Sequence, residues 1–265
     1  MTNKVVLITG ASSGIGRASA QRLSARGYTV IGASRRVVSG DPWPSLTMNV
    51  DNDASVIDGV EQVVREHGGL DAVVTCAGWG LAGAIEQTSI EEARAQLETN
   101  FFGTVRVVRA ALPSLRERQG RVLVISSIGG LIGLPFSGYY SASKFALEGW
   151  SEALALEVKP FGVHVTLIEP GNFKTDFTSS RREVQSSPDD PYHTAFRKAI
   201  ATMERDELKG PEPLAVAKAI EKVLSSSRPR RRVTVGRLDE RVGPWAKRLL
   251  PTRLFEAASA SALGV

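Results

Sequence analysis

The stretch that decides the fold is residues 9–16, Thr-Gly-Ala-Ser-Ser-Gly-Ile-Gly (TGASSGIG). It follows the apolar run KVVLI at 4–8 and leads into a segment with helical spacing. Glycines in that setting let a chain turn sharply out of a strand. Gly10 permits the turn, Gly14 lets backbone come close to an anion, and Gly16 lets the helix pack tightly on the strand. The first N–H groups of such a helix lack intrahelical partners and face the turn, which favours a phosphate. Ser12, Ser13 and Ile15 complete the predicted contact set. The spacing Gly-x-x-x-Gly-x-Gly differs from the more familiar G-x-G-x-x-G, and a glycine-serine loop alone is a weak signal. Between a first strand and a helix it predicts the pyrophosphate of a dinucleotide.

Outward from this loop, short runs rich in Val and Ile alternate with longer helix-like stretches. Strands are predicted at 4–8, 28–33, 71–75, 121–126, 163–168 and 232–236, with a weaker one at 46–49. These runs are apolar on both faces, as parallel strands covered on each side must be. Helices are predicted at 15–26, 53–66, 89–118 with a break near Pro113, 138–158, 189–207 and 212–226. The alternation gives a single-domain α/β fold: a Rossmann-type, doubly wound parallel sheet of about seven strands with helices on both faces. One domain would span residues 1–265, with substrate-binding loops and helices at about 170–210 and a C-terminal extension at about 237–265. Residues 36–45, with Gly40, Pro42 and Pro44, read as a surface loop. Residues 170–188 lack a steady period, and so long a loop in a compact domain is usually functional.

Composition narrows the function classes. The 265 residues are 42% hydrophobic and 23% charged, ordinary for one globular α/β chain, and no apolar run approaches bilayer-spanning length. Met1-Thr2-Asn3-Lys4 lacks the charged and long apolar regions of a secretory signal. Cys76 stands alone, which excludes an intrachain disulfide and fits a reducing cytoplasm. His67, His164 and His193 lack metal-site spacing, so no metal is expected. The formal charge is +5, with its densest basic run at Arg228-Pro229-Arg230-Arg231-Arg232. No aromatic residues interleave those arginines, so a solvated turn before a strand is expected rather than a nucleic-acid or membrane contact.

The end of the second strand selects between dinucleotides. An acid there commonly holds the adenosine ribose hydroxyls of NAD. This chain instead reads Gly32-Ala33-Ser34-Arg35-Arg36. A small hydroxyl followed by guanidinium groups suits a 2′-phosphate, so the expected cofactor is NADP(H).

Taken in order, further motifs accompany the glycine loop: "CAG" at 76–78, Asn100 in "TNFFGT", Ser127 in "ISS", Tyr140-x-x-x-Lys144, and Pro170-Gly171 with Thr175 after it. On this set the chain resembles the short-chain dehydrogenase/reductase family from Thr9 to about Gly236. Within the family, "GLIGLPFSGYYSASKFALEG" and "PFGVHVTLIEPGNF" look most like hydroxysteroid and retinol dehydrogenases. The resemblance implies an oxidoreductase with Tyr140 as general acid/base. It implies that Ser127 binds the substrate oxygen, that Lys144 binds the nicotinamide ribose, and that Asn100 holds a relay water. It extends the cofactor set to Asn49, Val50, Cys76, Ala77, Gly78, Pro170, Gly171 and Thr175. Two positions depart from the pattern: Cys76 stands where the family often has Asn, and Asn49 where an acid often lies near the adenine.

The adjacent Tyr139 and Tyr140 separate on helical geometry. At about 100° per residue, positions four apart share a face and positions five apart do not. Tyr140 therefore lies on the Lys144 face. A phenol of ordinary pKa near ~10 is a poor catalyst at neutrality, and a neighbouring ammonium and the positive nicotinamide of the oxidised cofactor should both lower it.

Leu131, Ile132, Leu134, Trp79, Leu81, Phe173, Phe177, Tyr192 and Phe196 are the expected pocket lining, which suits a bulky hydrophobic carbonyl or alcohol. A rival substrate is an acyl thioester on an acidic carrier, met by Lys174, Arg181 and Arg182. A rival of another class is a non-catalytic NADP-binding sensor, whose mark would be a broken Ser–Tyr–Lys set. The resemblance also implies a homodimer or homotetramer formed through the helices at 89–118 and 138–158.

Overall fold

In the computed structural model, which describes residues 4–36 and 40–265, the glycine loop leaves the C-terminal end of the first strand. Strands are β1 (Val5–Thr9), β2 (Thr29–Ser34), β3 (Ser45–Thr47), β4 (Ala72–Thr75), β5 (Leu81–Ala82), β6 (Arg121–Ile125), β7 (His164–Pro170), β8 (Arg182–Glu183) and β9 (Arg232–Val235). Helices are α1 (Gly14–Ser24), α2 (Asp53–His67), α3 (Ile90–Leu97), α4 (Gly103–Glu117), α5 (Gly138–Glu157), α6 (Phe177–Ser180), α7 (His193–Leu208), α8 (Leu214–Ser225), α9 (Leu238–Leu249) and α10 (Thr252–Leu263). Seven strands form one parallel sheet in the order β3-β2-β1-β4-β6-β7-β9, and β5 pairs with β8 separately. Of the loop expected at 36–45, residues 37–39 lie outside the described residues, as do residues 1–3 of the stretch read for a secretory signal.

Strand alternation divides the core into two layers. Val5 and Leu7 face Val56, Val60 and Val63 of α2, Val107, Val108 and Leu115 of α4, and Leu147 of α5. Val6 and Ile8 face Ala20 and Leu23 of α1 and Val216, Ile220 and Leu224 of α8. Successive side chains of a strand point to opposite faces, so a buried strand must be apolar throughout. Each fully buried aliphatic side chain contributes about 1.5–3 kcal/mol. A third, smaller cluster joins Ala82 to Phe196, Ala199, Ile200 and Met203 of α7, with Phe136 and Leu263 against it. It fixes α7 beyond the ends of the strands.

The order reverses direction between β1 and β4, where the connections leave to opposite sides and open a crevice. The glycine loop after β1, the 76–78 turn after β4 and the segments after β6 and β7 all meet there.

Two expectations need correction. The break expected near Pro113 lies instead at Glu98–Phe102, a five-residue stretch of wider π-type winding, and α4 passes through Pro113. Pro113 and Arg109 are both exposed, so the carbonyl that the proline ring frees meets water. The 237–265 extension, for which no helix was predicted, forms α9 and α10.

Candidate active site

A cavity of about 720 Å³ runs from the glycine loop to the N-terminal part of α5. Its lining includes Gly10, Ser12, Ser13, Gly14, Ile15, Gly16, Ser34, Arg35, Asn49, Val50, Cys76, Ala77, Gly78, Ser127, Tyr140, Lys144, Pro170, Gly171 and Thr175. Every predicted site residue except Asn100 lies on that surface.

At the phosphate end, Gly10 has φ +66°, and a Cβ there would stand 2.9 Å from Ala77 N. A Cβ on Gly16 would lie 2.2 Å from the Gly10 carbonyl oxygen, so helix and turn touch backbone to backbone. Ser13 is extended and makes no side-chain cap, which leaves the first N–H groups of α1 open to the cavity. A built cradle of donors with no side chain in the way fits a dinucleotide pyrophosphate.

At the adenosine end, Ser34 is half-buried, and its hydroxyl donates to the Arg36 carbonyl while Arg35 is exposed beside it. Asn49 accepts from the Asp51 N–H at 3.2 Å. Asp51 lines the same end, and its buried Oδ1 has no partner among the described residues. Sequence reading placed the adenine-side acid at Asn49 and overlooked this carboxylate two residues on, although "NVD" had it in plain view.

At the other end, β6 delivers Ser127 in extended conformation, and its Oγ accepts from the Gly129 N–H at 3.0 Å. Tyr140 sits in the first turn of α5 with Phe177 edge-on to its ring at 5.6 Å. A hydrogen bond to Ser127 favours its phenolate, but burial outweighs that and pushes the phenol up to about 12. Lys144, one turn on, is buried and donates to the Ile125 carbonyl at 2.9 Å. Burial pushes it down to about 8, against Cys76 and Glu148, which favour its charge. Lys144 Nζ stands 5.8 Å from the Tyr140 ring centroid, and in the chain by itself desolvation outweighs the lowering that a neighbouring ammonium favours. The chain alone holds a neutral phenol, the form that can donate a proton.

Asn100 lies behind the cavity wall. It sits at the π-type turn, fully buried, with Oδ1 accepting from Trp79 N–H and Nδ2 donating to the Trp79 carbonyl, each at 3.0 Å. Nδ2 also donates to Ser143 Oγ at 3.1 Å, and Ser143 in turn donates to the Tyr140 carbonyl at 2.7 Å. The amide ties the turn after β4 to α5 and so positions Tyr140, while its Oδ1, with one donor, keeps a second lone pair. Cys76 is pushed up to about 12 by burial and is no nucleophile at neutral pH.

Ile132, Leu134, Trp79, Leu81, Phe173 and Phe177 line the cavity as expected. Tyr192 and Phe196 do not. The Tyr192 hydroxyl donates to Glu86 at 2.6 Å, and Phe196 packs in the α7 cluster. Leu131 also lies off the cavity surface, its carbonyl accepting from Lys247 at 2.8 Å. Their places are taken by Met203, Asp206 and Glu207 of α7 and by Ala262 and Leu263 of α10. Arg181, expected with Lys174 and Arg182 to meet an acidic acyl carrier, has a side chain only 5% exposed and paired with Glu207, which also accepts from Thr178 at 2.7 Å. One guanidinium nitrogen, Nη1, has no partner among the described residues. Arg182 stacks on Trp79, its guanidinium 4.4 Å from a ring centroid. The last arginine of the 228–232 run also turns inward: Arg232 pairs with Glu148, with Glu169 at 2.7 Å and with Glu152 at 2.6 Å.

The profile of the short chain dehydrogenase family matches residues 4–186. A 3-ketodihydrosphingosine reductase from Bacteroides thetaiotaomicron is 41% identical over 261 residues, 97% of this chain and 97% of that protein. Retinol dehydrogenase 8 from Bos taurus is 35% identical over 249 residues, covering 85% of this chain and 79% of the relative. Among solved structures, a short-chain dehydrogenase from Streptomyces avermitilis superposes with a TM-score of 0.83 at 33% identity, covering 98% of each chain. The chain belongs to the short-chain dehydrogenase/reductase family, whose members bind nicotinamide dinucleotides and act as oxidoreductases on small molecules.

Proposed function

We propose that this protein is an NADP(H)-dependent oxidoreductase that interconverts a ketone or aldehyde and an alcohol on a bulky hydrophobic substrate. One observation carries the reading: Ser127, Tyr140 and Lys144 reach the same cavity as the glycine loop. The intact set also argues against a non-catalytic sensor.

A bound nicotinamide dinucleotide supplies the hydride acceptor or donor. Gly10, Ser12, Ser13, Gly14, Ile15 and Gly16 would hold its phosphates, Ser34 and Arg35 its 2′-phosphate, and Lys144 its nicotinamide-side ribose. Asn49, Val50, Cys76, Ala77, Gly78, Pro170, Gly171 and Thr175 would complete the walls. In reduction, the Tyr140 phenol donates its proton to the oxygen of the carbonyl, and in oxidation the phenolate removes it. Ser127 holds that oxygen in place. Asn100 keeps the turn after β4 and α5 in register.

The cavity wall supports a substrate with a long apolar body. Beside that wall, Arg181 with its unpartnered nitrogen and Glu207 are polar groups poised for a hydroxyl, amine or carboxylate near the carbonyl. The name of the Bacteroides relative, a reductase of a keto-sphingoid base, is in keeping with such a substrate. Residues 170–210 form this wall. Exposed Phe102, Phe145 and Leu156 beside or on α4 and α5 support a homodimer or homotetramer, and the lone cysteine supports a cytoplasmic site of action. Turnover of NADPH against steroid, retinoid, long-chain, sugar and acyl-thioester carbonyls tests the reading. Efficient reduction of sugars, with none of the hydrophobic substrates turned over, would overturn it.

A further inference from the structure

Helix α9 is packed with its apolar side outward. Leu238, Val242, Trp245 and Leu249 recur at steps of four, three and four, which places them along one stripe of a helix. They are 74%, 50%, 64% and 81% exposed. The body of the protein is met instead by small and polar groups. Gly243 lies so close to Ile132 that a Cβ would stand 3.1 Å from its Cδ1. Glu240 accepts from the Asn172 N–H at 3.1 Å and the Arg237 N–H at 2.9 Å. Lys247 Nζ donates to the Leu131 carbonyl. The stripe therefore does nothing for the fold, and Leu250 and Leu254, also exposed, continue it toward α10.

The chemistry around the stripe says what covers it. Arg241 and Arg248 flank the stripe and Arg253 follows it, while the carboxylates of the first turn are engaged, Asp239 by Arg237 and Glu240 by the Asn172 N–H on the inner side. A Trp within an apolar stripe bordered by Arg is the pattern of a helix lying in the plane of an anionic bilayer surface. Self-pairing fits poorly. Arg241 and Arg248, seven residues apart, share one flank of the stripe, and a two-fold antiparallel pair would set that flank against itself. No helix among the described residues is long and apolar enough to cross a membrane, so the contact is peripheral.

We propose that α9 docks this chain on anionic lipid surfaces through Leu238, Val242, Trp245 and Leu249, with Arg241 and Arg248 engaging the headgroups. The inner side of the same region lines the cavity through Gly243 of α9 and Ser259, Ala262 and Leu263 of α10. Docking therefore brings the cavity wall to the bilayer surface, where an apolar substrate would be dissolved. The surface is independent of which dinucleotide or carbonyl the site takes.

The full chain should sediment with vesicles of phosphatidylcholine and phosphatidylglycerol, and not with phosphatidylcholine alone, and salt should weaken the binding. Brominated lipid should quench Trp245. The triple variant Val242→Ser, Trp245→Ser, Leu249→Ser should bind at least about tenfold more weakly, because exposed apolar contacts supply most of the partition. Arg241→Glu with Arg248→Glu should erase the preference for anionic lipid. Both variants should keep wild-type turnover of a water-soluble ketone, which separates failure of docking from failure of the site. The proposal is overturned if the wild type ignores anionic vesicles at low salt or if the triple variant binds them equally well. It is also overturned if the triple variant's only change is dissociation of an oligomer in sedimentation velocity.

Discussion

Replacing Lys144 with Met should stabilise the folded chain while abolishing turnover. The ammonium is buried, and burial lowers its pKa from 10.5 to about 8. A group whose charge the fold disfavours destabilises the native state wherever that charge is present. The penalty is complete below about pH 8, shrinks as pH rises and vanishes near the unfolded value. A shift of that size corresponds to about 3 to 4 kcal/mol at 1.4 kcal/mol per unit, and loss of the hydrogen bond to Ile125 offsets about 1 of these. The variant should thus gain about 2 to 3 kcal/mol at pH 6.5, and the gap should narrow through pH 8 to 10. Tyr140 and Cys76, both pushed up to about 12, weaken both proteins only toward strong alkali, and Cys76 loses the lowering influence of Lys144 in the variant, so the comparison is read below pH 10. Urea unfolding without added dinucleotide, across that range, measures it. A variant less stable than wild type at pH 6.5, or a gap that does not change with pH, would refute the reasoning.

Ser34→Asp with Arg35→Ala should reverse the dinucleotide preference. Arg35 can add a charge-assisted bond worth ~1.5–3 kcal/mol, or roughly tenfold to a hundredfold, trimmed by its exposure. The ratio of kcat/KM for NADPH and NADH in both proteins reports the change, and a wild type that prefers NADH defeats the assignment. Arg181→Met should lower stability by about 3 kcal/mol, because it strands the buried Glu207. Pairing it with Glu207→Leu should restore most of that in denaturant melts, and no recovery would mean the pair is not the cause.

The strand pattern and the glycine loop were legible because both follow from local constraints: strands buried on two faces must be apolar, and a backbone turn against a phosphate needs glycine. The switch point between β1 and β4 then follows from chain order. What the sequence concealed depends on contacts made elsewhere. Pro113 reads as a helix breaker, but only the fold shows that its freed carbonyl faces water. Arg181 and Arg182 read as contacts for an acidic carrier and Arg232 as the end of a solvated run, and the partners that draw in Arg181 and Arg232, Glu207 of α7 and Glu148 of α5, lie far along the chain. Asn100 matches its motif, but its bonds to Trp79 and Ser143, which tie the turn after β4 to α5, are something no spacing rule reveals. The Tyr140–Lys144 spacing placed both groups correctly but said nothing of desolvation, and desolvation sets both pKa values.

The central claim is that the Tyr140 phenol is the proton donor, and the comparison of Tyr140→Phe with Tyr139→Phe tests it most directly. Both rings stand in the first turn of α5, and of the two only Tyr140 lines the cavity. Steady-state kcat/KM for NADPH-dependent reduction of one hydrophobic ketone should fall ~10²–10⁴-fold in Tyr140→Phe, since a single general acid is lost. Dinucleotide affinity by fluorescence titration should stay near wild type, and Tyr139→Phe should remain within about tenfold in activity. Comparable losses in two folded variants, or full activity in Tyr140→Phe, would contradict the account.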